Sequence, residues 1–522
     1  MIVYKFGGAL AKSRRGLEAL VRLTHDAYHA ESISQRRRQR AATVGRAGGR
    51  AKSAGASVGA HAGENGVVLV VSAIGHTTRH LARAAELAEQ GMLQPAEEAL
   101  DRIIVQHKQL ARTLRLDREN DLANKIDTIA SDVRGLLEGI AITLELSPRT
   151  RDAVIANGEH LAGSLVYALL HDRKLPVRLI DARTVIITDD EFGHAAPLVD
   201  EIEERAQRFI ASRLKRSEIV LIQGFIGATL DGIPTTMGSE SSDLTATLLA
   251  GSLGAQEVVI WKVVPGIFSA DPEIVPNAKL LRSLSFEEAE EIGRRGARIL
   301  YPTFAHPLLR EHNRTVLRIA TPFAQAARHT TLSRQVSERP SPNTTRAQKA
   351  IAVALTQRLA VVKLVMRNTS EEVAQLLSGS PLKGAGRRRK QERMRTAMHS
   401  ALALWSTSSE TMLLLPKDDI AAILKEIDLD TFAIIEQPSV SARPTVAARA
   451  TLAALAVIIR KPNNDTADPR FIQQIARSLR AFPVHAIIPI EQSIIAIVDD
   501  AEAIQATKKL HHDLFEKRSR IL

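Results

Sequence analysis

The chain has 522 residues, enough for roughly three domains, and its 45% hydrophobic and 25% charged residues are typical of soluble globular proteins. It has no cysteine, which excludes disulfides, thiolate metal sites, iron–sulfur clusters and a cysteine nucleophile. No apolar run approaches the ~20 residues of a membrane span, and the first residues lack the apolar segment of a secretory signal. We therefore expect a cytoplasmic protein with no membrane partner.

The net charge of +12 is concentrated in two basic segments, residues 34–65 and 383–395. The first has no hydrophobic period and is rich in Arg, Gly, Ala and Ser, so it is predicted to be a flexible insertion. These segments are either solvated loops or nucleic-acid-binding arms, and the sequence favours loops. Because aromatic residues make up only 3% of the chain, modules that stack on bases are not expected, and neither is a nucleic-acid partner.

Short apolar strands alternate with helical patterns over the first part of the chain. The predicted strands are Ile2–Phe6, Val67–Val71, Val177–Asp181, Ile219–Gln223, Glu257–Lys262 and Thr315–Ile319. The predicted helices cover 17–29, much of 78–147, 159–171, 199–213, 243–253 and 286–296. This alternation indicates an α/β fold with a parallel-rich sheet between helical layers, and we assign it to a domain at 1–322.

Shorter elements follow a polar, proline-containing linker, predicted at 323–350. Two successive units, 351–445 and 446–522, each show a strand–helix–strand–strand pattern, and the first strand of the first unit is predicted at Leu359–Met366. The pattern is typical of small α+β domains, and its repetition predicts two of them in tandem.

Polar and glycine-rich turns follow the predicted strands and hold the candidate site residues. Glycines allow the backbone to approach phosphate oxygens, and an adjacent lysine can neutralise a transferring phosphoryl group. Each turn also has a purely structural interpretation: Lys5 to Gly8 as a tight turn, and Ser242 or Asp243 as a helix N-cap. The turns contain Lys5-Phe6-Gly7-Gly8, Ser72-Ala73, Gly158-Glu159, Thr235 to Ala246, Lys262 to Ile267, and Gly296 to Pro302.

The order of these motifs (KFGG, VVSA, GE, GFIG, TTMG, SSDLTA, VPGI and GARILYP) resembles the aspartate kinase branch of the amino-acid kinase family. The tandem C-terminal units resemble the paired ACT regulatory domains of the same enzymes. The resemblance implies transfer of the ATP γ-phosphoryl group to the β-carboxylate of L-aspartate, giving 4-phospho-L-aspartate. This is the first step of lysine, threonine and methionine biosynthesis.

The resemblance also implies a role for each candidate residue. Lys5 and Asp243 would be catalytic, Lys5 by neutralising the phosphoryl group and Asp243 by orienting the lysine–phosphate network. Glu159 and Ser242 would bind the substrate, Glu159 through its ammonium group. ATP, accompanied by Mg²⁺, would contact the remaining candidates, and no protein metal ligands are predicted. These nucleotide-binding residues are Gly7, Gly8, Ser72, Lys262, Gly266 and Arg298.

The sequence departs from the family pattern at several of these positions. Ala9 and Leu10 replace the usual Thr-Ser after the two glycines, and Ser239 replaces the arginine expected to pair with the substrate α-carboxylate. Lys262 stands where the family has threonine, Glu273 where it often has arginine, and Arg298 where it has lysine. Two interpretations remain: an active, allosterically regulated aspartate kinase, or a catalytically degenerate relative that acts as a regulatory or effector-binding protein.

The resemblance further implies a homodimer or higher oligomer with an amino-acid effector at the ACT-like units. The segment Asn368 to Ser370 offers hydroxyl groups and helix N–H groups suited to an effector carboxylate. It is equally well interpreted as a plain helix start. The corresponding segment of the second unit, Lys461 to Asp465, is longer and more acidic, so the two sites are not expected to be equivalent.

Overall fold

The computed structural model describes residues 1–47, 66–116, 120–216, 218–238, 240–295, 304–310, 313–324, 328–334, 349–366, 403–406, 410–416, 432–436, 452–460, 469–490 and 493–516. The chain forms two compact units. The first comprises Met1–Ile267, Leu280–Glu290 and Leu300–Ser337, and the second comprises Phe268–Lys279, Glu291–Ile299 and Glu338–Leu522.

The strands of the first unit form an eight-stranded sheet and a separate hairpin. The sheet strands are β1 (Ile2–Phe6), β2 (Val67–Val71), β3 (Val177–Ile180), β4 (Ile219–Gln223), β7 (Glu257–Trp261), β8 (Ser283–Ser285), β9 (Val316–Ala320) and β10 (His329–Ser333). Their order is β3-β4-β2-β1-β7-β9-β10-β8, and only the β9–β10 pair is antiparallel. β5 (Ile226–Ala228) and β6 (Pro234–Thr236) form the hairpin. The parallel-rich sheet predicted from the sequence is confirmed.

Helices connect these strands as crossovers. They are α1 (Gly8–Ala11), α2 (Arg14–Ala47), α3 (Thr77–Glu89), α4 (Leu93–Thr113), α5 (Asn120–Thr143), α6 (Pro148–Ile155), α7 (Asn157–Asp172), α8 (Val199–Arg205), α9 (Ser212–Leu214), α10 (Ser242–Leu253) and α11 (Phe286–Arg294). A π-helical turn, Ala206–Ala211, joins α8 to α9. The central strands β2 and β4 are wholly buried, as expected for strands covered on both faces.

The prediction that residues 34–65 form a flexible insertion is wrong for its first part, because α2 continues to Ala47. Arg, Gln and Ala have high helix propensity, so a helix can extend without the apolar period that the sequence interpretation required. Residues 48–65 lie outside the described residues. The predicted linker at 323–350 is also partly wrong, since β10 forms within it.

One helical stretch in the described part of the chain, Pro148–Asp172, is long and apolar enough to cross a membrane. It comprises α6 and α7, and 78% of its apolar window is buried inside the protein. Burial of this kind is typical of a core helix.

The second unit is built on a seven-stranded sheet. Its strands are β11 (Lys349–Met366), β12 (Ala403–Ser406), β13 (Glu410–Pro416), β14 (Phe432–Glu436), β15 (Leu452–Arg460), β16 (Val484–Ile490) and β17 (Ser493–Asp499). The order is β12-β13-β11-β15-β17-β16, with β14 also paired to β11. β11 pairs with β15 from Lys349 to Leu359 and with β13 from there onward. The two predicted ACT-like units therefore share one sheet through a strand much longer than predicted.

Helices α12 (Pro469–Ser478) and α13 (Ala503–His511) pack on the second half of this sheet. Their contacts surround a core that includes Leu455, Val457, Ile475, Ile494 and Leu510. The two segments predicted to bind an effector, 368–370 and 461–465, lie outside the described residues, as does the basic segment 383–395.

Candidate active site

Three of the predicted site residues meet at one edge of the first sheet. Lys5 is paired in register with Val70 of β2 and with Ile260 of β7, one residue before each of these parallel strands ends. Ser72 follows the end of β2, and Lys262 follows the end of β7. Because the carboxyl ends of parallel strands meet at the same edge, the side chains are brought together there, and this edge is where open α/β sheets bind ligands.

A cleft of about 920 Å³ opens at this edge. Its lining includes seven of the predicted site residues: Lys5, Gly7, Gly8, Ser72, Glu159, Ser242 and Lys262. Asp243 lies behind the lining, with no exposed surface. Predicted site residues from five separate segments of the chain therefore line one cavity.

The centre of the site is a buried carboxylate held by two lysines. Lys5 Nζ lies 2.8 Å from Asp243 Oδ1, and Lys262 Nζ lies 3.1 Å from Asp243 Oδ2. Burial alone would raise the pKa of the Asp243 carboxyl, but the charges of Lys262 and Lys5 and their hydrogen bonds outweigh it and lower that pKa. Asp243 is therefore ionised at neutral pH, and the cluster carries one net positive charge at the cleft wall.

The two glycines after β1 contribute differently. A Cβ on Gly8 would lie 2.0 Å from the carbonyl oxygen of Ala73, so only glycine fits where α1 begins. Gly7 donates its N–H to the Trp261 carbonyl at 3.3 Å. The Gly7 amide predicted to bind phosphate is thus already engaged in a long hydrogen bond, and Gly8 is the more available donor of the pair.

Glu159 lies in the first turn of α7 and is 2% exposed. Burial raises the pKa of its carboxyl well above the usual value, against the charge of Lys5 and a hydrogen bond from the Ala73 N–H. Its Oε2 has no hydrogen-bond partner among the described residues. A buried acceptor of this kind at a cleft wall fits a ligand that brings its own positive charge.

Ser242 is the first residue of α10 and packs tightly at the cleft wall, where a Cβ on Gly224 would lie 2.5 Å from the Ser242 Cβ. The N-cap of this helix is Ser241, which makes no side-chain capping bond. The structural interpretation of Ser242 or Asp243 as the N-cap is therefore wrong.

Gly266 is the one predicted nucleotide contact among the described residues that does not line the cleft. A Cβ there would lie 2.2 Å from Thr330 Oγ1, so the glycine is required by packing. Arg298 lies outside the described residues, as does Ser239. Their predicted roles stay untested.

Sequence reasoning missed Asp152, a cleft residue with no exposed surface. Its Oδ2 accepts the N–H groups of Gly193 and Thr236, both at 2.8 Å, and its Oδ1 accepts the Thr236 hydroxyl at 2.7 Å. Burial raises the pKa of this carboxyl, although these hydrogen bonds and the charge of His194 lower it. In the sequence Asp152 follows the polar run Arg149-Thr150-Arg151, where nothing distinguishes it from a surface acid.

Phe225 was missed as well. It lines the cleft and adopts a φ of +69°, a conformation that bulky residues rarely take. Its N–H is held by Thr245 Oγ1 at 3.2 Å and its carbonyl by the Met237 N–H at 3.0 Å. Strain of this type is concentrated at functional sites, and the Gly-Phe-Ile-Gly motif gave the only sequence signal for it.

Comparisons with known proteins agree with this geometry. Residues 1–319 match the model of the Amino acid kinase family. Lysine-sensitive aspartokinase 3 of Escherichia coli (strain K12) is 35% identical over 245 residues, covering 47% of this chain and 52% of the relative. Aspartokinase 1, chloroplastic, of Arabidopsis thaliana is 32% identical over 248 residues, covering 47% of this chain and 43% of the relative. The chain thus spans about half the length of these curated relatives.

Among solved structures, E. coli aspartokinase III in complex with aspartate and ADP has a TM-score of 0.73 at 22% identity, and the match covers 99% of this chain and 100% of that one. At this identity the likeness shows the fold. Together with the family match over more than half of the sequence, it leads to one conclusion: the chain belongs to the amino acid kinase family.

Proposed function

We propose that the protein phosphorylates the β-carboxylate of L-aspartate with ATP, forming 4-phospho-L-aspartate and ADP. The observation that carries the proposal is the Lys5–Asp243–Lys262 cluster, which places net positive charge beside the Gly8 amide in a cleft that also contains the buried Glu159. The aspartokinases among its relatives support the choice of substrate.

The reaction needs no protein nucleophile. A β-carboxylate oxygen attacks the γ-phosphorus in line, a new P–O bond forms, the bond to the β–γ bridging oxygen breaks, and ADP leaves with its electron pair. The task of the site is to position the two anions and neutralise their charge. Lys5, fixed by Asp243, supplies charge to the phosphoryl oxygens, while Gly8 donates its amide.

Glu159 binds the substrate ammonium group through Oε2, so that the buried Glu159 carboxylate and the ammonium group each gain a partner of opposite charge. Ser72 and Lys262 face the nucleotide phosphates. Among the described residues, no group of three or more His, Asp or Glu could hold a metal ion. Mg²⁺ would accompany the ATP phosphates and would supply positive charge against them during the transfer.

A hydroxamate assay, in which hydroxylamine traps the acyl phosphate, tests the proposal with ATP and L-aspartate as substrates. We expect ATP-dependent hydroxamate that requires L-aspartate. A specific observation favours the degenerate alternative: Ala9 and Leu10 give the cleft two apolar residues and no hydroxyl beside Gly8. A folded protein that binds aspartate and ATP without turnover would establish that alternative.

We also propose that the enzyme acts in the cytoplasm as a homo-oligomer whose C-terminal units bind a pathway amino acid. The E. coli aspartokinase III structures include one with lysine and aspartate, which matches this chain with a TM-score of 0.65. Calorimetric titration with lysine, threonine and methionine, and the hydroxamate assay repeated with each, test the effector. If none binds at millimolar concentration, the C-terminal units serve assembly.

A further inference from the structure

A substrate aspartate in this cleft presents three charged groups, and the proposed function assigns partners to two of them. The β-carboxylate faces Lys5 and the phosphoryl group, and the ammonium faces Glu159. The α-carboxylate shares its carbon with the ammonium group, so its partner must lie a few ångströms from the Glu159 carboxylate. A buried anion without such a partner would weaken binding.

Four basic side chains line the cleft besides Lys5 and Lys262: His76, Arg79, Arg151 and His194. Arg151 is engaged with Glu86 at 3.0 Å. His76 and Arg79 lie at the start of α3, where the ring of His76 is 6.3 Å from that of His80, and both are exposed, as His194 is. His194 stands on a different wall, in the segment between β3 and α8.

The backbone around His194 is fixed by a set of hydrogen bonds. Asp152 binds the Gly193 N–H, Asp189 Oδ1 accepts the Glu191 and Ala196 N–H groups at 3.2 and 2.8 Å, and the Ala195 N–H donates to the Thr236 carbonyl at 3.0 Å. Asp152 lies in α6, which runs directly into the α7 helix that carries Glu159. The segment is therefore held in place on the wall of the same cleft that Glu159 lines.

The ring of His194 is placed by a glycine. Gly238 has a φ of +88°, and a Cβ there would lie 3.1 Å from His194 Nδ1. The imidazole thus rests against the backbone that leads to residue 239, while the rest of the side chain stays exposed to the cleft. The Asp152 carboxylate lies close enough for an electrostatic interaction with the ring. Protonated imidazole donates hydrogen bonds from both nitrogens and suits a carboxylate.

We propose that His194 binds the α-carboxylate of the amino-acid substrate and thereby makes the site specific for free α-amino acids. The identification of that ligand as aspartate rests on the proposed function. Asp152 is the positioning residue, since it fixes the segment but does not touch the substrate.

The test compares L-aspartate with its α-amide, which keeps the ammonium and β-carboxylate but has no α-carboxylate. Calorimetric affinities and hydroxamate turnover are measured for the full chain and for the variants His194→Ala, His194→Arg and Arg79→Ala. His194→Ala should weaken aspartate binding on the order of 10- to 100-fold, as expected for losing a charge-assisted hydrogen bond. Its affinity for the α-amide should stay within about 3-fold of the wild-type value.

His194→Arg should restore most of the aspartate affinity, and Arg79→Ala should keep that affinity within about 3-fold of the wild-type value. In His194→Ala, neither the ATP KM nor the melting temperature should change. Equal losses for aspartate and the α-amide in His194→Ala, or the selective loss in Arg79→Ala instead, would overturn the inference. Turnover is judged separately. If the wild-type protein binds L-aspartate more tightly than the α-amide but forms no hydroxamate, the proposed function is refuted and the role of His194 stands.

Discussion

Replacing Lys5 by methionine separates the catalytic role of its charge from any role in folding. Lys5 is 6% exposed, and its Nζ lies 2.8 Å from Asp243. Breaking a buried ion pair by removing one partner usually costs about 3–5 kcal/mol, because the remaining charge is left uncompensated. Here Lys262 remains 3.1 Å from the other carboxylate oxygen, so the loss of stability should lie below that range.

The catalytic loss should be larger than this structural effect. Removing one preorganised donor from a site of developing charge costs on the order of 10²- to 10³-fold in kcat, and Lys5→Met should lower the hydroxamate rate by that factor. Lys262→Met is the matched control, because it removes the other lysine from the same carboxylate. Since Lys262 is more exposed than Lys5, at 17% against 7% of the side chain, its loss should reduce kcat less.

The assay measures kcat and KM for both substrates at saturating partner concentration, with thermal unfolding recorded for each variant. The assignment of Lys5 would be refuted by a folded Lys5→Met protein that keeps near wild-type turnover. An equal rate loss in both variants would instead show that the cluster acts as a unit and that neither lysine has a separate role.

Other substitutions probe the packing and the ionisation of the site. Gly8→Ala should abolish activity and destabilise the fold, because the added methyl group would meet the Ala73 carbonyl. Gly135→Ala, at a position in α5 with open space around it, should instead raise the free energy of unfolding by about 0.5–1 kcal/mol. Urea titration measures the stability of both variants. Glu159→Gln should raise the aspartate KM without changing the ATP KM in steady-state kinetics. Because the pKa of Glu159 is raised in the folded state, the folded protein keeps a proton that the unfolded chain releases above about pH 4.3. The free energy of unfolding should therefore fall as pH rises from about 4.3 through the folded pKa. In Glu159→Gln, denaturation curves recorded across that pH range should no longer show this decrease.

Several elements were predictable because local chemistry alone determines them. The apolar run Val67–Val71 predicts a buried strand, and KFGG, with a lysine before two glycines, predicts a turn whose role as a phosphate site depends on the motifs that follow it. Lys262 follows a strand that the sequence predicts, but its place beside this turn depends on the pairing of β7 with β1. Its ion pair with Asp243 could not be predicted, because the two residues are joined only by the fold.

Several of the errors share one cause, namely that long-range pairing outweighs local pattern. His329–Ser333 was taken as part of a linker because its residues are polar, yet it forms a strand by pairing with β9 and β8. Asp152 looked like a surface acid until its partners at Gly193 and Thr236, distant in sequence, were known. The length of β11 was underestimated because its first half is specified by β15, about 100 residues later.

The pairing of β11 with β15 has a consequence for how the chain is made. At roughly 5–20 residues per second, synthesis delivers β15 some 5–20 seconds after β11 has emerged from the ribosome. During that interval the Lys349–Thr356 edge of β11 has no partner strand, and an apolar unpaired edge invites association with other chains. In a fragment that ends before Leu452, this edge of β11 never gains its partner strand. A fragment designed to contain the first C-terminal unit should therefore retain β15 or replace inward-facing edge residues by lysine.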